Sequence, residues 1–188
     1  MRTRLFKNWW LLSLKAFFIL LLGVLLLGLS DLSLKNTCLL TGLILVSAGI
    51  FVSLGAFSHR RFNFEWTWWL LEGTLDIIPG LLLILLPDIS LASFVIIVGI
   101  WILINGLIQL ITAINIQYYV DSNLIFIIVG LVALAIGTIF FIGWGSGHEE
   151  IIILLCIFSI FYGLGMFYIS VILRKVFVEE IGEIEELY

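Results

Sequence analysis

Apolar residues run along this chain in long unbroken blocks, with neither the two-residue alternation of strands nor one polar face per helix. Six blocks are read, at about 9–29, 36–58, 67–87, 90–114, 123–143 and 151–173. Each approaches or exceeds the roughly 20 residues that a helix needs to cross a bilayer. The breaks between them are a few residues long and hold Ser, Asn, Asp and charged residues. The pattern predicts an all-α integral membrane protein with six transmembrane helices, arranged as three tandem helical hairpins. Composition agrees: 63% of residues are hydrophobic and 12% charged. A soluble globule carries about 25% charged residues and needs them as surface. The first block is too long for the apolar part of a signal peptide and has no clear small-residue cleavage site, so it reads as a retained span.

The blocks repeat every 57 residues. Ala16, Gly73 and Gly130 are in register, as are Gly23, Gly80 and Gly137. On the even spans Gly42, Gly99 and Cys156 form one series, Gly49, Gly106 and Gly163 a second, and Ala56, Ala113 and Ser170 a third. Asp31 matches Asp88, and Ser33 matches Ser90. The chain is thus one membrane domain over 1–178, with repeats at about 8–64, 65–121 and 122–178, followed by an acidic tail at 179–188. In each span the small residues recur every seven positions, which keeps one seam facing one partner. Such seams let membrane helices approach closely. Gly73 is level with Gly106, and Gly80 with Gly99, so the seams are expected to close within each hairpin. All three hairpins run the same way, unlike the inverted repeats of many transporters.

Charge sets the orientation. Arg2, Arg4, Lys7, Arg60, Arg61, Arg174 and Lys175 fall at one end of an even-numbered bundle, while the other end has Lys35 beside Asp31, Asp88, Glu149 and Glu150. By the positive-inside rule both chain ends are expected in the cytoplasm, and the protein is expected in the cell membrane. Trp9, Trp10, Trp66, Trp68 and Trp69 suit the headgroup level at the basic end, and Trp144 the opposite one. Trp101 lies mid-span and is expected between helices or against lipid. The basic loops fit anionic headgroups rather than nucleic acid. The acids of the last ten residues read as a solvated helical end. Cys38 and Cys156 lie at different depths and are not expected to pair.

Three ionisable residues fall inside spans, Lys15, Glu72 and Asp76, together with the amides Asn105 and Gln109, while the outer half holds little polar beyond Thr37, Thr41, Ser47, Thr138 and Ser159. Ionisable groups in a membrane are functional candidates. Lys15 and Glu72 are equivalent across the repeat, so an ion pair between them is expected. Glu72 and Asp76 are four apart on one helix face, as are Asn105 and Gln109, and the amides lie level with the carboxylates. One reading is a proton-sensing or relay cluster; the other, preferred, is structural glue between repeats. His148, in the loop beside Glu149 and Glu150, is more simply an incidental loop residue than an acid sensor. No metal-ligand spacing, phosphate loop or nucleophile–base pair is visible, so no cofactor, metal or enzymatic activity is expected.

The openings Trp9-Trp10-Leu11-Leu12-Ser13-Leu14-Lys15-Ala16 and Trp68-Trp69-Leu70-Leu71-Glu72-Gly73, each followed by Gly seven residues later, resemble the HdeD family of acid-resistance membrane proteins. The stop at Leu86-Pro87-Asp88 fits the same pattern, although the third repeat opens without tryptophan. The resemblance implies a six-span, three-hairpin fold and a role in acid or other stress tolerance, exerted through the bundle or through protein partners the sequence does not name. The alternative is a channel or transporter for protons or a small solute. A homo-oligomer is compatible with the sequence and would allow a pore on its axis.

Overall fold

The computed structural model describes residues 9–29, 33–58, 66–116, 124–142 and 147–185. They form six helices: α1 (Trp9–Gly28), α2 (Leu34–Ser58), α3 (Trp66–Leu85), α4 (Leu91–Ile116), α5 (Leu124–Ile142) and α6 (His148–Glu185). All six are long and apolar enough to cross a membrane. The expected spans match within a few residues, except that α6 continues past the last apolar block through the acidic stretch to Glu185. Arg2, Arg4, Lys7, Asp31, His59, Arg60, Arg61 and Trp144 lie outside the described residues, as does the end of the acidic tail.

The repeat extends to the helix starts. Ser33 begins α2 by accepting the Asn36 N–H on its hydroxyl and the Thr37 N–H on its carbonyl. Ser90 does the same for Ser93 and Phe94 at α4. Gly147 holds the equivalent place before α6, where its carbonyl accepts the Ile151 N–H. These caps use backbone groups that a helix start leaves unpaired. α3 stops at Leu85, before the turn at Pro87 and Asp88; Pro79 sits inside it without ending the helix.

Close packing runs between repeats, which corrects the expected closure within hairpins. α2 packs on α3, α4 on α5, and α6 back on α1, while α3 and α4 of the middle hairpin touch least. A methyl group placed on Gly49 would lie 2.5 Å from the Gly73 carbonyl oxygen, and one on Gly42 2.7 Å from that of Gly80. Gly106 and Gly130 face each other in the same way across α4 and α5, at 3.1 and 3.2 Å. At the closing seam a methyl on Gly163 would lie 3.0 Å from the Leu20 nitrogen, and Cys156 Sγ is 3.7 Å from the Gly23 carbonyl. The three seams therefore use equivalent positions, and the chain closes into a ring of three. The helices turn Phe17, Leu54, Leu85, Leu107 and Leu164 outward, as expected of a surface solvated by lipid tails. Cys38 and Cys156 are both buried and unpaired.

Candidate functional site

Equivalent residues of a rotationally symmetric ring touch one another only near its axis. Two such pairs meet here. Lys15 Nζ donates to Glu72 Oε1 at 3.0 Å, across exactly one repeat in register if not in chemistry, since the third position is Val129. Trp101 packs edge-on against its equivalent Phe158, ring centres 5.8 Å apart. The approximate threefold axis therefore passes through the polar cluster.

Around that axis the repeats have diverged. The sets are Lys15, Glu72 and Val129; Ile19, Asp76 and Ala133; Ala48, Asn105 and Tyr162; and Ile44, Trp101 and Phe158. All twelve residues are buried. Lys15, 1% exposed, is the hub. Besides Glu72, its ammonium donates to Asn105 Oδ1 at 3.0 Å and lies 3.0 Å from Asp76 Oδ2. The Asp76 contact is an ion contact without hydrogen-bond alignment, because Oδ2 has no hydrogen-bonded partner. Asp76 Oδ1 accepts the Trp101 indole N–H at 2.8 Å, and the Asn105 amide donates to the Trp101 carbonyl one turn back at 2.9 Å. One ammonium thus faces two carboxylates, and each group leans on a neighbour from another helix. Buried charge requires this, since an unpaired ion costs several kcal/mol in an apolar interior.

Of the five candidates, the structure joins Lys15, Glu72, Asp76 and Asn105. Gln109, one turn further toward the Trp9 end, is buried too, but its amide nitrogen has no hydrogen-bond partner. Trp101 joins the cluster unannounced by composition. Its signal is that a mid-span indole N–H needs an acceptor, and Asp76 supplies one.

The rest of the interior is largely apolar. Toward the Asp88 end the equivalent buried sets are Leu26, Leu83 and Phe140; Thr41, Val98 and Leu155; and Thr37, Phe94 and Ile151. Thr37 returns its hydroxyl to the Ser33 carbonyl, and Ser47 and Thr138 likewise bond their own helices. At the surface of that end, Lys35 pairs with Asp88 at 3.0 Å, tying α2 to the α3–α4 turn. At the other end Ser170 donates to the Trp9 carbonyl at 2.7 Å, and the Arg174 guanidinium lies 5.2 Å from the Trp9 ring centre. No group of His, Cys, Asp and Glu able to hold a metal occurs among the described residues.

No curated protein and no solved structure matches the chain. One family does, twice: a short repeat of unknown function, DUF308, over residues 14–84 and again over 71–142. The two matches start 57 residues apart, from 14 to 71, which is the period that the glycines mark. They cover most of the chain, and this multi-pass membrane protein belongs to the DUF308 family of short repeats.

Proposed function

We propose that the protein is a non-enzymatic membrane protein of the HdeD type, acting in acid or other stress tolerance through its helical bundle or its protein partners. In this reading it lies in the cell membrane with both ends of the chain cytoplasmic, and 1–178 is one unit of three repeats followed by an acidic cytoplasmic tail. The tryptophan-rich repeat openings support the family reading, and the basic residues at the Trp9 end support the orientation. The observation that carries the reading is that the charged cluster closes on itself. Lys15, Glu72, Asp76, Asn105 and Trp101 serve one another, and layers made mostly of Leu, Val, Phe and Ile, with Thr37 and Thr41 among them, separate them from the Asp88 end. Ion conduction needs water or polar groups at every depth. The cluster acts as a tie that fixes the three repeats in one register.

Unpartnered buried polar atoms favour the runner-up, a proton or small-solute carrier: the Gln109 amide nitrogen on one side of the cluster, and the Thr41 and Ser159 hydroxyls on the other. Proteoliposomes loaded with a pH-sensitive dye separate the two readings. The tie predicts proton entry equal to that of empty liposomes. Entry well above that level, abolished by Glu72→Gln or Asp76→Asn, would establish the carrier instead.

A further inference from the structure

We propose that the crevice between α3 and α4 is a binding groove for one acyl chain of a bilayer lipid, seated against Trp101. The crevice has a volume of about 210 Å³ and is lined by Leu75, Ile78 and Pro79 from α3 and by Ile97, Ile100 and Trp101 from α4, among others, with almost no polar surface. It lies where the middle hairpin is the loosest of the three. α3 is drawn to α2 by the Gly42–Gly80 and Gly49–Gly73 seam, and α4 to α5 by Gly106–Gly130, so α3 and α4 barely touch.

Two features decide the occupant. The first is chemistry: Ile78 and Ile100 on the rim face the lipid tails, and the groove lies at hydrocarbon depth, from Leu75 near mid-helix toward the outer turns of α3. The second is size. A helix with its side chains is about 10–12 Å across and does not enter such a slot. A wholly apolar cavity of about 150 Å³ is known to take up a benzene-sized molecule, so the scale here suits part of one hydrocarbon chain. A second copy of the chain could cover the rim but not fill the slot.

The floor gives the groove its consequence. The indole that an acyl chain would touch is the one that donates to Asp76 Oδ1 and packs on Phe158. A seated chain therefore holds Trp101 in the position that serves the charged cluster. The groove makes no demand on conduction and stands apart from the functional reading above.

The test is fluorescence quenching in phosphatidylcholine vesicles with acyl chains brominated at mid-length, against the same lipid unbrominated. The Trp101 signal is the difference between the wild type and Trp101→Phe. The proposal expects most of that signal to be lost in brominated lipid, although Trp101 is 2% exposed in the bundle. Ile97→Phe, which fills the slot, should restore it, while the quenching of the exposed Trp10 and Trp68 stays unchanged. If Trp101→Phe does not fold, the rise in total emission from wild type to Ile97→Phe in brominated lipid reads the same effect, with Ile100→Phe as the second filling variant. A Trp101 signal that is equal in both lipids, whether the slot is empty or a second copy shields it, overturns the proposal. So does quenching that survives both filling variants.

Discussion

Lys15 is a single side chain that holds α1 to α3 and α4 at once, and its loss reaches further than one bond. Lys15→Met leaves Glu72 and Asp76 facing each other in an apolar interior. Stranding a buried charge in this way costs about 3–5 kcal/mol. Removing Glu72 as well should recover little, because Asp76 still lies 3.0 Å from where the ammonium was. The triple change Lys15→Met, Glu72→Gln, Asp76→Asn should be more stable than Lys15→Met alone. Thermal unfolding in detergent measures all four proteins, and a triple variant no more stable than Lys15→Met would show that the groups are not coupled. The Lys15–Glu72 contact is legible in the sequence, since equivalent residues of a ring meet at its axis. The part played by Trp101 is not, because an aromatic residue in a span packs or faces lipid as readily as it donates a hydrogen bond.

Helix positions and lengths are written plainly in the apolar blocks, but the helix partners are not. In an antiparallel bundle, small residues spaced by seven match in depth with the preceding helix and with the following one. Gly73 is level with Gly106 ahead of it and with Gly49 behind it, so depth alone cannot choose between them. Packing chooses Gly49, because the two carbonyl-to-glycine approaches at that seam admit no side chain. Gly49→Leu should therefore part α2 from α3 and leave α1–α2 contacts in place. Gly106→Leu should part α4 from α5, not α4 from α3. Cysteine cross-linking across each pair reads the difference, with thermal stability lowered in both variants. Gly28→Ala is the control: a methyl there meets nothing within 4 Å, and stability should not fall.

At the scale of the whole molecule, the seam between α6 and α1 is equivalent to the two seams joined by covalent loops. A permuted chain that starts at Trp66, with the end of α6 near Lys175 linked to Trp9, should fold with a melting temperature close to that of the natural order. Ser170 and Arg174 already reach Trp9, so a short linker suffices. Size-exclusion chromatography and circular dichroism check it; an aggregated permutant would mean that the ring is not closed. The same closure imposes an order in time. Chains are synthesised from the amino end, so α1 enters the membrane long before α6 exists to cover its small-residue face. Lys15, the seventh of the 20 residues of α1, enters before Glu72 has been made, and its insertion costs at most the roughly 2.5–3.5 kcal/mol of a lysine at a helix centre. The newborn first hairpin thus carries a lysine whose partners have not yet been made. A fragment ending at Ser58 should be degraded faster in cells than the same fragment carrying Lys15→Leu. Extending both to Leu85, which supplies Glu72 and Asp76, should erase or reverse that difference in a pulse-chase experiment.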